Sequence, residues 1–420
     1  MEIEIIRSSI LLVTFIFLGG LILKKDQNKK RNWAIFYSLI YVGTTLPIVN
    51  YVFVELGLWE FSEKNDIKMP YDLYFLWTIM WGVIPVFFLK KHDFKFLFII
   101  ILWLDLLMMP QLEKFGILTL YDNWILGEIA LILAVFIPAY LWSYLYYYQK
   151  MNGIRAGFQV MIMILLLFVG LPYLLYFYQL IPQPIFRRSS IEFQVLLILA
   201  FPALSATQGL VRKGKGTPFP YDATKRLVRN GVYAYCRNPI QWSQTMIFFS
   251  LSYYHQSWIF LIGSIISVAY VFGVAEFQER EDMENRFDHE WSVYLSQVPN
   301  WYFLWKPINI PKGTIYFDRN CQQCSAIEAW YQEQNTINLE IKAASEYVGT
   351  PLTKVTYIDG NGEEENGINA IAQAFDHIHL GYASLGWFIH FYPISFLLQL
   401  IIDSMVFDRV EECEINNRKT

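Results

Sequence analysis

The sequence predicts a polytopic α-helical membrane protein of about nine membrane segments, followed by a small α/β domain. Three observations predict it. Of 420 residues, 55% are hydrophobic and only 17% charged, where soluble domains carry about 25% charged residues. Apolar runs close to the ~20 residues that span a bilayer recur as far as residue 277. From Gly313 onward the composition changes to that of a soluble chain.

The apolar segments fall at roughly 3–23, 33–54, 71–89, 94–110, 123–147, 157–181 and 191–211, then at 240–252 and 257–277 around the polar tip 253–256. Segment 240–252 is short and reads as a hairpin arm. Loop charge gives the orientation, because Lys and Arg concentrate on the cytoplasmic side. Alternate loops carry seventeen basic residues, among them Arg155, Arg212, Lys213, Lys215, Arg226 and Arg237, and the opposite loops carry six. This bias places the N-terminus outside and everything after residue 277 in the cytoplasm. The 14 Trp and 28 Tyr suit membrane–water interfaces. A net charge of -4 with no basic domain argues against nucleic acid as a partner. Four cysteines make no disulfide framework, and the first apolar stretch lacks the basic leader of a signal peptide.

The densest set of chemistry-bearing residues lies at 214–239. Gly214-Lys-Gly216-Thr217-Pro218-Phe-Pro220 is followed by Leu227-Val-Arg-Asn-Gly231-Val-Tyr233-Ala-Tyr235-Cys-Arg237-Asn238-Pro239. After the 240–277 hairpin comes an acidic helix with Glu279, Glu281, Phe287-Asp288, Trp291 and Tyr294, reaching Val298-Pro299. In order and spacing, residues of about 191–305 resemble the isoprenylcysteine carboxyl methyltransferase and phospholipid methyltransferase superfamily. That resemblance implies an integral-membrane enzyme using S-adenosylmethionine.

The residue chemistry agrees. A sulfonium, an amino-acid head and an adenosine need a polar cradle. Gly214 and Gly216 allow close backbone approach, and Pro218 and Pro220 stiffen the loop. Arg237 suits a bidentate pair with a carboxylate, and is the candidate catalytic residue of this half. Glu279 or Glu281 suits ribose hydroxyls or an amino group. Tyr233, Tyr235 and Trp291 suit stacking, and Asn238-Pro239 completes the segment. Taken singly, the basic residues also read as membrane anchors and Arg-Asn-Pro as a helix start. Three positions depart from the family pattern: Gln241 stands for Tyr, Ser243 for Gly, and Asp288 for the Gly of Phe-Gly.

Beyond the linker prolines Pro307 and Pro311, an apolar strand at 315–317 leads to Asp318 and then Cys321-Gln-Gln-Cys324 at the start of a helix over 325–334. A thiol there has its thiolate favoured by the helix dipole, so Cys321 is the candidate attacking and Cys324 the resolving thiol. A strand at 354–358, a turn at Asp359-Gly-Asn-Gly362 and a helix near 368–379 follow. Pro351 is placed as a cis-proline would be beside a CxxC in a thioredoxin-like fold. Residues of about 313–407 resemble the DCC family of thiol–disulfide oxidoreductases, through Tyr316-Phe-Asp318-x-x-Cys-x-x-Cys, Thr356-Tyr-Ile-Asp359-Gly-x-Gly and Gly381-Tyr-Ala-x-Leu-Gly386-Trp387. Asp318-Arg319-Asn320 departs from that family's Asp-Gly-Asp. A zinc half-site is the rival, but a full site needs four ligands, Cys236 and Cys413 are isolated, and His377 and His379 are distant in sequence. No metal is expected.

Three parts are thus expected: a membrane helical domain at 1–185 of unassigned role, a membrane methyltransferase at 186–307, and a thioredoxin-like CxxC domain at 308–420 on the cytoplasmic side. Expected partners are the lipid bilayer, a lipophilic or small thiol, carboxylate or amine methyl acceptor, and a thiol redox partner. The alternative is a membrane-anchored thiol–disulfide oxidoreductase whose methyltransferase half only anchors it. In the N-terminal part, Asp105 stands in an apolar segment, which marks a functional group or a buried pair. Pro47, Pro85, Pro138 and Pro172 are expected to kink helices.

Overall fold

The computed structural model describes residues 5, 7–9, 11–16, 29–63, 65–89, 94–181, 190–219, 222–319, 322–349 and 352–417. The chain forms two units, one of Met1–Arg187 with Thr217–Ala223, the other of Arg188–Gly216 with Thr224–Thr420.

The first unit contains α1 (Lys29–Glu55), β1 (Trp59–Phe61), α2 (Tyr71–Gly82), α3 (Phe94–Lys114), β2 (Leu118–Leu120), α4 (Trp124–Tyr147) and α5 (Asn152–Phe177). Strands β1 and β2 pair antiparallel, with Trp59 opposite Leu120. Aromatic side chains close the core: Tyr37 of α1 packs on Trp142 and Tyr146 of α4 at ring distances of 4.8 and 4.7 Å. Helices α4 and α5 each widen into one π turn, at Ile132–Phe136 and Leu166–Gly170. Pro138 and Pro172 come directly after these turns. A proline has no N–H for the preceding turn, and the wide turn takes up the missing bond so that the helix continues. Outward positions remain apolar: Trp103, Leu126 and Ile154 are all exposed, an arrangement that suits lipid rather than water.

Four helices among the described residues are long and apolar enough to cross a membrane: Lys29–Glu55, Trp124–Tyr147, Asn152–Phe177 and Ile191–Arg212. The pair Leu380–Ile389 and Tyr392–Ser404 passes the same test together but is bent by 87°. Among the described residues, four of the nine segments expected from the sequence are matched by such helices, and the bent pair lies outside all nine. Segments 71–89 and 257–277 give only shorter apolar helices, Tyr71–Phe87 and Trp258–Gly273, and segment 240–252 gives a helix of 17 residues. Segment 3–23 and the side chains at the start of 94–110 lie partly outside the described residues.

The second unit begins with α6 (Ser190–Arg212), the hairpin of α7 (Pro239–His255) and α8 (Trp258–Tyr270), and α9 (Glu276–Gln297). Helix α7 starts at Arg-Asn-Pro, with Asn238 as its N-cap and Pro239 in its first turn, where a missing N–H costs nothing. The Ser243 hydroxyl, buried against α6, accepts from Ala203 N at 3.1 Å. A small side chain at this crossing is what the family's Gly also supplies.

The C-terminal part of this unit has β3 (Gly313–Phe317), α10 (Gln322–Glu333), β4 (Leu339–Ala343), β5 (Thr356–Asp359), β6 (Glu364–Asn366), α11 (Ile368–Phe375), α12 (Leu380–Ile389) and α13 (Tyr392–Asn417). The sheet order is β4-β3-β5-β6. Strands β3 and β4 are parallel, and β5 is antiparallel to both β3 and β6. Strand β4 is not among the expected elements, since Leu339-Glu-Ile-Lys-Ala is short and only weakly alternating. Ile315, Phe317, Tyr331, Tyr357 and Ala374 form its core.

Candidate functional site

From Thr224 on, the 214–239 segment is organised around α9. The Arg286 guanidinium donates to Thr224 O at 2.5 Å, Arg229 pairs with Glu290 at 3.6 Å, and the Tyr294 hydroxyl donates to Tyr233 O at 2.9 Å. Arg286 lies before the break of this helix at Asp288 and Glu290 and Tyr294 after it, so the two arms of α9 meet successive parts of the run from 224 to 233. Arg237 closes the far end: its backbone N–H donates to Pro299 O at 2.9 Å and its Nη1 to Leu295 O at 3.1 Å. The Asn238 amide donates to Asn300 Oδ1. The motif residues after 224 are therefore gathered along α9 and the turn that ends it.

Glu279 and Glu281 lie on the same helix, although their side chains are outside the described residues. Between them and Tyr294 the helix breaks at Asp288, whose φ is 40° and ψ -116°. A side chain is strained in that conformation and glycine is not. A glycine, which the family pattern has at this position, would take such a backbone without strain; this chain takes it with an aspartate.

The Gly214 loop folds back on α6. Gly214 O accepts from Lys225 N at 2.7 Å, and a Cβ on Gly214 would come within 2.6 Å of Thr224 and 2.7 Å of Leu210 O. Only glycine lets these backbones approach so closely. Gly216 is buried beside it and donates to Leu210 O at 3.2 Å. The rest of the loop belongs to the first unit. There Gln159 donates to the Thr217 hydroxyl at 3.0 Å, and half-buried Pro218 leads to Phe219, whose ring lies on Tyr37. Arg155, counted as a membrane anchor from the sequence, forms a fully buried ion pair with Asp222 in this unit. Pro220 lies outside the described residues.

A narrow cleft with a cavity volume of about 50 Å³ opens beside this segment. Asn230, Gly231 and Tyr233 line one wall, Gln208, Arg212 and Lys213 of α6 a second, and Asp376, Trp387 and His390 a third. That volume is well below the roughly 300–1,000 Å³ of small-molecule sites, so the cleft as it stands is narrow. Tyr235 is not in this wall. It is fully buried, edge-on to Trp387, with its hydroxyl donating to Asp376 O at 3.0 Å. Burial raises its pKa. Cys236 is also enclosed, its thiol directed at Asn300 O and pushed up to about 11 by burial, which makes it inert. Trp291 is buried, and its Nε1 has no hydrogen-bond partner among the described residues.

Asp376 is the residue the sequence reading missed. It is 2% exposed and accepts from Gly231 N at 3.0 Å, Gln373 Nε2 at 2.6 Å and Trp387 Nε1 at 2.8 Å. Burial pushes its carboxyl up to about 7, against the pull of these donors and of Lys213. No local pattern marks it, because Gly231, the motif residue it holds, lies 145 positions away in sequence. The same holds for the β5–β6 hairpin. Glu365 takes both oxygens to Arg212, at 2.5 and 2.7 Å. Lys213 sits 3.5–3.7 Å from Asp359, Glu363 and Glu365, and Glu363 also meets Lys215 and Arg226. Four basic residues read as anchors thus face an acidic hairpin.

In the C-terminal part, α10 begins directly after the β3 turn. Cys324 is half-buried against the core, while Cys321 and Pro351 lie outside the described residues. Arg319, where the family pattern has Gly, holds the Glu328 carboxylate at 2.8–3.2 Å. His377 is buried between Tyr357 Oη at 2.9 Å and Ile337 O at 2.7 Å, and burial lowers it to about 4. It is a packing histidine. His379 caps α12 by accepting from Gly381 N.

No curated protein and no solved structure matches the chain. A family model does, and it covers the part of the second unit from α6 into α9. Over residues 196–290 the chain carries the signature of the phospholipid methyltransferase family, which supports its place in the methyltransferase superfamily.

Proposed function

We propose that this chain is an integral-membrane methyltransferase that uses S-adenosylmethionine, with a thioredoxin-like thiol–disulfide domain joined to it. The observation that carries the first part is the convergence of residues 224–238 on α9 and the turn that ends it, a run that largely falls within the region matching the family. The donor set suits the cofactor: the buried Trp291 Nε1 is a donor in want of an acceptor, while the cleft beside Tyr233 is narrow and would have to widen to admit it. Arg237 would hold a carboxylate, Glu279 or Glu281 the ribose or amino group, and Tyr233 would wall the pocket. Gly214, Gly216 and Pro218 shape the loop, while Asn238-Pro239 fixes the start of α7. Bound there, S-adenosylmethionine supplies a methyl group on a sulfonium centre. The protein's part is positioning and exclusion of water. The acceptor is a lipophilic or small nucleophile, a thiol, carboxylate or amine, reaching the site from the bilayer on the cytoplasmic face.

The C-terminal topology supports the redox reading. A parallel β3-α10-β4 unit followed by antiparallel β5-β6 and a helix is an order compatible with a thioredoxin-like domain. Cys321 is the attacking and Cys324 the resolving thiol, and their partner is a thiol or disulfide. In the alternative, this domain is the only enzyme and the membrane half an anchor.

Labelled methyl transfer separates the two. Purified protein in nanodiscs, given methyl-labelled cofactor and panels of thiols, prenylated carboxylates and lipid amines, is expected to label one class. The C321S/C324S double variant should keep transfer to acceptors supplied reduced and lose it for acceptors supplied as disulfides. Full activity of that variant on every accepted substrate would uncouple the domains, and an absence of transfer across all panels would leave the anchor reading.

A further inference from the structure

The last two helices of the second unit are built inside out. On α13 the polar side chains Ser395, Gln399 and Asp403 recur every four residues and face the domain. Ser395 is buried. Gln399 Oε1 accepts from Ile368 N at 2.8 Å, and its Nε2 donates to Asp403 Oδ1 at 2.7 Å. Asp403 in turn pairs with Lys354 at 2.8 Å. The opposite face carries Tyr392, Phe396, Leu397, Leu400 and Ile401, each at least 50% exposed. Helix α12 continues the pattern: Leu385 and Phe388, one turn apart, are exposed, while Ala383 and Trp387 turn inward. A Cβ on Gly386 would come within 2.4 Å of Ala372 O, so α12 lies directly on α11. A surface helix of a soluble domain has the reverse polarity, and an apolar face of this extent marks contact with a membrane or a protein.

The neighbouring helix shows which of these covers it. The 87° bend between Ile389 and Tyr392 is packed on α6, a helix long and apolar enough to cross a membrane. The Phe201 ring of α6 lies 6.3 Å from that of Phe388 and 5.9 Å from that of Phe391, and Gln208 Nε2 donates to His390 O at 2.6 Å. Phe201 precedes Arg212, the basic end of α6, by about three turns, or roughly 16 Å, against a hydrocarbon thickness of about 30 Å. The bend therefore lies beside the half of the span that ends at Arg212. Asp403, about three turns beyond Tyr392, brings the chain back to a charged partner. The outward side of α6 is apolar as well, with Leu197 and Ile198 exposed.

The backbone at the bend meets the condition that lipid imposes, which is that every polar group has a partner within the protein. His390 N donates to Gly386 O at 3.0 Å and Phe391 N to Phe388 O at 3.2 Å. Ile394 N and Ser395 N both donate to Phe391 O at 2.8 Å. The His390 carbonyl is taken by Gln208.

We propose that α12 and α13 form a re-entrant hairpin, entering and leaving the bilayer on one face, with lipid acyl chains covering its outer side. Its inner side rests on α6 and α11. Trp387 and His390 of that inner side line the cleft, so a single helix separates lipid from the motif segment. A domain of soluble composition is thereby seated in the membrane by its own last helices. The hairpin's place in the bilayer does not depend on methyl transfer.

Photolabelling of the full chain in nanodiscs tests it, with phosphatidylcholine carrying a diazirine in the middle of one acyl chain. Each disc holds a single copy, so that no second chain can cover the face, and labelled residues are mapped by mass spectrometry. The expected result is label on Phe388, Phe396, Leu397 and Leu400 at a yield comparable to that on the exposed Leu133 of α4 and Ile164 of α5, with strand β4 unlabelled. Label on Leu133 and Ile164 but not between 385 and 401 would overturn the proposal, because a protein partner or a second copy would then be the natural cover. Label on the hairpin only from a diazirine placed beside the headgroup would also overturn it, since the two helices would then lie on the membrane surface.

Discussion

Asp288 shows how a single residue carries both inheritance and strain. Its positive φ breaks α9 between the acidic stretch and Tyr294, so that Arg286 and Tyr294 can address different parts of the 224–233 run. Substituting Asp288→Gly should relieve strain of about 1 kcal/mol and raise the thermal midpoint of the purified protein. An unchanged or lower midpoint would mean that the aspartate side chain repays its backbone cost. Gly214 stood out in the sequence as a position for close approach to a cofactor; the close approach seen in the fold is to Thr224 and Leu210. Tyr235 shows where residue type alone misleads. An aromatic beside a motif looks like a stacking platform, yet this one lies in the core with its hydroxyl engaged. Burial depends on Trp387 and Asp376, more than a hundred positions away in the sequence, and no local pattern contains that.

At the scale of elements, helices were legible wherever apolar length or a Pro start marked them, as at α6 and α7. The π turns of α4 and α5 were not, because proline in a helix reads as a kink until the widened turn beside it is seen. The β5–β6 turn was legible from Asp-Gly-Asn-Gly, but its role was hidden: charges on the hairpin and on α6 each look like solvated surface until they meet. The link between α11 and Gly231 makes a prediction of its own. A carboxyl raised from 3.8 to about 7 binds an extra proton in the folded state between those pH values. Stability from the protonated form is then greatest near pH 4 and is lost as pH rises through 7. The stability advantage of wild type over Asp376→Asn should shrink over that window, by an amount on the order of a few kcal/mol at most. Thermal melts at several pH values check it, and the opposite slope would mean that Lys213 and the three donors hold the group ionised.

Across the whole molecule, membrane character was legible from composition, and the number of spans was not. Apolar stretches such as Tyr71–Phe87 are too short or too broken to cross as single helices, and hydropathy cannot distinguish a buried helix from a spanning one. The division of the Gly214–Ala223 loop between two units was equally hidden, because it rests on Arg155, Gln159 and Tyr37, far upstream. What unites the second unit is the convergence on α9, and the central claim is that this convergence is a cofactor site. Calorimetric titration of S-adenosylhomocysteine into the full chain in nanodiscs tests that claim most directly, with Arg237→Ala alongside. The account predicts saturable binding at one site per chain, weakened at least about tenfold by the substitution, as the loss of a charge-assisted hydrogen bond requires, with the thermal midpoint nearly unchanged. Absence of binding to folded wild-type protein, or equal binding to the variant, would contradict it.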